Sequence, residues 1–298
     1  MWCLFVVGHD CGHGTFSNYT WLNDLIGNLV HGLILVPYWP WRLSHRRHHM
    51  YHNHIEKDYS HPWWTDERAA AAPEEHKLMV LQDTQAWMKL IFPTIGWPVY
   101  LLGLPDGSHF LPIKSSRLWA KTAFHESVKC LVSTACVLGF SYGIYAALGH
   151  SVANFIYYHA MPVLVMGWWL VCVTYLQHHS EETVVYNNEN WQFDLAAFQT
   201  VDREFGWGLD QLTHHITDGH VAHHLFFTKI PHYNLPMATR AIQKHMEAIG
   251  LKTLYRKEIT HNFPVVLYDY MLRLGFKTHE VKAGDPLHPS FSPSSKAE

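Results

Sequence analysis

The feature that most narrows the fold is a pair of apolar runs, "VKCLVSTACVLGFSYGIYAALG" at 128–149 and "FIYYHAMPVLVMGWWLVCVTYL" at 155–176, parted by only five residues. Each has 22 residues, and the one charge in either is Lys129, close to an end. At about 1.5 Å per residue, each is long enough to cross roughly 30 Å of hydrocarbon. The connector "HSVAN" carries no Lys or Arg, whereas Lys114, Arg117 and Lys121 precede the first run and Arg203 follows the second. That asymmetry predicts a membrane hairpin with both outer flanks in the cytoplasm. The competing reading is two buried helices of a large soluble core, because mean hydropathy over the chain is only −0.11; a polar remainder accounts for that average.

Two further stretches read as membrane-associated without being clean spans. Residues 21–41 are apolar but broken by Asn23, Asp24, Asn28 and His31, and are expected to form one interfacial or re-entrant helix. Residues 88–104 are interrupted by Pro93 and Pro98 and are expected to lie against the membrane. Trp168 and Trp169 fall within the second run, where packing suits them better than a place in an interfacial belt. At the amino end, "MWCLFVVG" supplies only the apolar middle of a secretory signal. It reads as the stub of a longer helix, with earlier membrane helices missing. Ala69–Ala72 read as a loop, and the Pro- and Ser-rich residues 283–298 as a disordered tail after one domain over 1–282.

Charge and cysteine usage exclude some functions. Lys and Arg total 22 against 25 Asp and Glu, so the net charge of −3 offers no basic field for nucleic acid. The five cysteines, Cys3, Cys11, Cys130, Cys136 and Cys172, are odd in number and have no framework spacing, which argues against disulfides. Cys11 is read as a packing residue.

Histidine is the outlier: 26 of them exceed Lys and Arg together, and many fall in short clusters. Three clusters share one geometry: "HDCGH" at 9–13, "HRRHH" at 45–49 and "HVAHH" at 220–224. Spacings of three and four bring side chains to one helical face, so His9 with His13, His45 with His48 and His49, and His220 with His223 and His224 can each converge. His178, in "TYLQHH", lies just past the cytoplasmic end of the second run, with His179 as a near competitor. The hairpin leaves one side of the membrane and returns, which puts the second and third clusters on the same side. Four imidazoles saturate one tetrahedral zinc, so eight or nine imply two metals, and neutral nitrogen ligands suit iron, copper or zinc.

These residues carry a resemblance. HxxxH, HxxHH and HxxHH in this order, with an apolar hairpin before the third, are similar to the membrane fatty acyl desaturase and hydroxylase superfamily. "GHDCGHGTFS", "PYWPWRLSHRRHHMYHNHIEKD", "LPDGSHF", "TYLQHH" and "HHITDGHVAHHLFFTKIPHYNLPMAT" narrow it to methyl-end (Δ12 and ω3) desaturases, invertebrate members above all, over roughly residues 1–270. The resemblance implies an all-α integral membrane fold with a cytosolic histidine-rich di-iron cap in the endoplasmic reticulum. It implies two ferrous ions, O2 as co-substrate, and cytochrome b5 with its reductase as separate electron donors. The substrate would be an unsaturated eighteen- or twenty-carbon chain on a phospholipid or coenzyme A. Carried over motif by motif, the iron ligands are His9, His13, His45, His48, His49, His220, His223 and His224, with His178 as the extra ligand. His214 would stand behind the ligands.

Other residues carry two readings. Asp10 and Asp218 neighbour ligand histidines and either accept an imidazole N–H or cap a helix. Arg46 and Arg47 are expected to pair with Asp58 or lipid headgroups. His52, His54 and His61 either extend the site or, as the preferred reading, are solvated loop histidines, and His125, His150 and His159 are expected to be interfacial or packing residues. A protease reading takes "HDCGH" as a relative of HExxH with Asp10 as base, but leaves six clustered histidines without purpose. A metal transporter would need polar groups inside the spans. A hydroxylase or acetylenase would use the same metal site.

Overall fold

The computed structural model describes residues 1–71, 86–282 and 284–287. The chain divides into two compact units, Met1–Arg46 with Pro93–Val171, and Arg47–Phe92 with Cys172–Glu298, and the boundary falls inside three helices. Both units are mainly helical, as expected, with a few very short strands in the second.

In the first unit, α1 (Trp2–His13) packs along α2 (Thr20–Gly32), and α2 along α6 (Phe124–Ala147). A glycine makes the first contact possible: a Cβ on Gly8 would lie 2.1 Å from Cδ2 of His31. The imidazole of His31 is fully buried, stacks on Phe5 with centroids 5.3 Å apart and hydrogen-bonds the Phe5 carbonyl at 3.2 Å. That bond explains how a polar residue sits in an apolar interior without an unsatisfied donor. Helix α1 closes at Gly14, whose φ of 76° supplies the left-handed residue that ends many helices. Phe5, Ile34, Val36, Trp41, Trp97, Leu101, Val163, Met166 and Leu170 form the main core.

The stretch 21–41, expected as an interfacial or re-entrant helix, is not one continuous helix. It breaks after Gly32, and Tyr38–Trp41 open α3 (Tyr38–Tyr51). The physical reason is that Asn23 and His31, read as interruptions, are buried and hydrogen-bonded, while Pro37 stops a helix continuing from α2. Residues 86–102 form helix α5 with Pro93 and Pro98 inside it. Ala69–Ala71 end a short helix, α4 (Asp66–Ala71), rather than a loop; Ala72 lies outside the described residues, as do 283 and 288–298 of the expected tail.

The apolar hairpin becomes α6 and a second helix over Val152–His178, both long and apolar enough to cross a membrane. The second is α7 (Val152–Phe155), a π turn at Ile156–Ala160 and α8 (Met161–His178). On α6, Leu131, Val132, Leu138 and Tyr142 are at least half exposed, as lipid-facing residues are and core residues are not. His159 is buried against Phe155. Cys11 packs with Tyr38 and Trp39, and none of the five cysteines is in a disulfide.

The second unit contains the later part of α3, the end of α8, and α9 (Phe193–Ala197) to α13 (Phe263–Arg273). Two parallel strand pairs tie its irregular segments: β1 (Val184–Val185) with β4 (His279–Glu280), and β2 (Asp202–Glu204) with β3 (Lys257–Ile259), in register Asp202 to Lys257. Arg203, expected to be a flanking cation, is fully buried and ion-paired with Glu258.

Candidate metal centre

In the first unit, His9 and His13 lie one turn apart on α1 and His45 lies on α3. Nε2 of His13 is 3.2 Å from Nε2 of His9 and 3.1 Å from Nε2 of His45. Trp41, one turn before His45, stacks on its ring at 4.6 Å, fixing the imidazole by packing. Oδ1 of Asp10 lies 3.4 Å from Nδ1 of His9, on the ring edge away from the other histidines.

In the second unit, His48 and His49 come from α3, His178 from the last residue of α8, and His220, His223 and His224 from α11 (His220–Leu225). Nε2 of His178 lies 3.3 Å from Nε2 of His48 and 3.1 Å from Nε2 of His220. Ligand nitrogens of His48, His178 and His224 all fall within 4.8 Å of one another. The rings of His49 and His223 meet at 4.4 Å.

Hydrogen bonds on the far edges of these rings decide what the near edges present. His48 donates its Nδ1–H to Asp58, with both carboxylate oxygens 3.0 Å away, and His220 donates its Nδ1–H to the Ile216 carbonyl at 3.0 Å. A neutral imidazole has one N–H, so both Nε2 atoms carry lone pairs aimed at the same small volume. Lone pairs that converge at about 3 Å repel, and a cation between them turns the repulsion into ligation. Burial disfavours the charged form of the deepest rings: it pushes His224 well below its ordinary value, and burial with His48 beside it pushes His61 down to about 3. Burial alone would raise Asp58, but the facing His48 and His61 hold it below the usual carboxylate range. The donor set fits a soft-to-borderline transition metal.

Several residues stand differently from expectation. His52, His54 and His61 are buried, not solvated, because the loop after α3 folds inward. The ring of His61 lies 4.8 Å from that of His48 and 4.6 Å from that of His178, and His48, Asp58 and His61 form a further cluster with metal-ligand geometry. Arg47 does not pair with Asp58; it donates to the Lys57 carbonyl and the Tyr59 hydroxyl, since His48 already occupies the carboxylate. Asp218 faces His215 at 3.1 Å rather than His220, and the His214 ring rests edge-on against His232. His178 points at His48 and His220, whereas Nδ1 of His179 is tied to the Tyr175 carbonyl at 2.9 Å and its ring stacks on Tyr175.

Sequence reasoning weighed His61 as an extension of the site but preferred a solvated loop histidine, and it read Asp58 as a partner for Arg46 or Arg47 rather than for His48. The only signal was their spacing of three, and they lie in a loop where helical periodicity has no hold. It overlooked Asp202, fully buried, which accepts from the Val221 amide at 2.9 Å and from the Tyr255 hydroxyl.

With this geometry in place, comparison with known proteins identifies the class. The fatty acid desaturase family model matches residues 1–257, and the chain belongs to that family. Its relatives include the Δ12 fatty acid desaturase fat-2 of Caenorhabditis elegans, 44% identical over 282 residues, which cover 94% of this chain and 72% of that protein. The omega-3 fatty acid desaturase fat-1 of the same organism is 39% identical, over 93% of this chain and 66% of its own length. A chloroplastic omega-3 fatty acid desaturase of Glycine max is 40% identical, over 80% of this chain and 51% of its own length.

Proposed function

We propose that this chain is a methyl-end fatty acyl desaturase that inserts a cis double bond, in the Δ12 or ω3 position, into a long unsaturated acyl chain. The observation that carries the metal assignment is the convergence of the His48, His178 and His220 Nε2 atoms, with Asp58 and the Ile216 carbonyl fixing two of the tautomers. His9, His13, His45, His48, His49, His178, His220, His223 and His224 hold two ferrous ions. Asp10 and Asp58 hold His9 and His48 in ligating orientation.

Bound iron would supply the activation of O2 needed to break unactivated C–H bonds, which acids and bases of a protein do not attack. The overall balance is two hydrogens removed from adjacent methylenes, with O2 reduced to two waters by those and by two further electrons and two protons. Relatives named for both positions support the methyl-end type. The resemblance supports cytochrome b5 and its reductase as donors, a phospholipid or coenzyme A ester as the acyl carrier, and the endoplasmic reticulum as the location, with histidines on the cytosolic side. The chain's own task is to hold the imidazoles neutral and oriented, and to fix which carbons reach them, since a displacement of about 1 Å is enough to lose productive geometry.

The test is expression in yeast fed oleate or linoleate, with double bonds located by mass spectrometry. New bonds on the methyl side of the existing one, absent in His220→Ala, are expected. A hydroxylated product would move the assignment to a hydroxylase. No new product from an iron-loaded protein would reject it.

A further inference from the structure

We infer that the adjacent pair Asp202–Arg203 is a positioning clamp that sets the spacing of His178 and His220 by gripping the two helix ends that carry them. The inference rests on the reading of these histidines as metal ligands.

His178 is the last residue of α8 and His220 the first of α11, so each imidazole hangs from a helix terminus, where backbone groups lack helical partners and fray. The start of α11 has no side-chain cap from its own local sequence. The N-cap of α11 is Gly219, which has no side chain to offer. Asp202 supplies the missing acceptor from another part of the chain: its Oδ1 accepts the Val221 amide at 2.9 Å, and the His220 amide is also turned toward the carboxylate. Its other oxygen accepts the Tyr255 hydroxyl.

The next residue does the converse for α8. Arg203 donates Nε to the Leu176 carbonyl at 2.8 Å and an Nη to the His179 carbonyl at 3.1 Å, bracketing His178 in sequence. Its remaining charge is met by Glu258. The backbone completes the tie: the Val201 amide bonds the Gln177 carbonyl at 2.9 Å, and the Arg203 amide bonds the Thr217 carbonyl at 2.9 Å. Strand β2 pairs with β3, so the two gripping side chains share a short stiff element. Successive strand residues face opposite ways, which lets neighbours reach different helices. The result is that the 3.1 Å separation of the His178 and His220 Nε2 atoms is referred to one dipeptide. Neither side chain points at the metal-binding nitrogens, so the pair acts through position alone.

Asp202→Ala and Asp202→Asn are compared with wild type, in detergent, for iron per chain under chelator competition and for the Mössbauer spectrum. Arg203→Lys and Tyr255→Phe are measured alongside. Asn retains an oxygen for the Val221 amide, and Lys lacks the planar fork by which separate nitrogens of Arg203 reach the Leu176 and His179 carbonyls. The clamp predicts that Asp202→Ala and Arg203→Lys bind one of the two irons at least tenfold more weakly and alter one iron signal. Asp202→Asn and Tyr255→Phe stay within about threefold of wild type. If Asp202→Ala or Arg203→Lys keeps both irons and the wild-type spectrum, the clamp is wrong. It is equally wrong if both irons are lost together and Asn does not rescue. A wild-type protein without iron would instead reject the metal reading itself, which separates the two failures. Should Asp202→Ala not fold, the contrast between Arg203→Lys and Tyr255→Phe decides.

Discussion

Replacing Asp58 tests how far the hydrogen-bond partner of a ligand histidine controls the site. Its carboxylate is fully buried and places both oxygens 3.0 Å from Nδ1 of His48. A hydrogen bond to a buried charge contributes roughly 1.5–3 kcal/mol, and it is spent on holding the ring with Nε2 unprotonated. Removing a partner that orients a ligand histidine costs about 10–100-fold in metal affinity, or roughly 1.4–2.7 kcal/mol. The two ranges agree, so Asp58→Ala is expected to weaken iron binding by one to two orders of magnitude. Asp58→Asn keeps an acceptor of the same shape without the charge. A neutral hydrogen bond contributes roughly half as much, so the loss should be several-fold to about tenfold. The assay is iron per chain in detergent micelles against a graded series of chelators, with unfolding followed in parallel. Wild-type affinity in Asp58→Ala would refute the reasoning. So would equal losses in Ala and Asn, because acceptor and charge should each contribute to the effect.

Three further outcomes follow from the geometry. His178→Ala should lower bound iron, whereas His179→Phe, which preserves the stack on Tyr175 and Trp63, should leave iron content unchanged; metal analysis of the two purified variants decides. Gly8→Ala would ordinarily gain helix propensity, but its methyl would stand 2.1 Å from the His31 ring. Overpacking of about 1–3 kcal/mol should therefore dominate, seen as a lower unfolding midpoint; a raised midpoint would contradict the α1–α2 contact. Leu138→Arg, at a position 64% exposed on α6, should cost roughly 2.5–3.5 kcal/mol in a bilayer and cut the membrane-integrated fraction. At a water-facing surface the same change would be nearly neutral, and normal yield would argue against the span.

Much of this was legible from residue spacing. His9 with His13, His45 with His48 and His49, and the α11 histidines repeat at helical intervals on segments that are indeed helices, and the two long apolar helices declared themselves by length and scarcity of charge. What stayed hidden depends on contacts between residues far apart in the chain. His31 looked like an interruption of an interfacial helix because nothing local shows that the Phe5 carbonyl, 26 residues away, accepts its N–H. Asp58 and His61 sit in a loop without periodicity, and whether such histidines face water or the site is a tertiary fact. Arg203 counted as a flanking cation because its bonds to Leu176 and His179 span 27 and 24 residues.

The most direct test of the account is the metal content and coordination of the purified chain, by elemental analysis and X-ray absorption. Two irons per chain in a nitrogen-rich shell, with iron lost in His220→Ala, is the expected result. A single zinc, or iron that is undiminished in His220→Ala, would contradict the account.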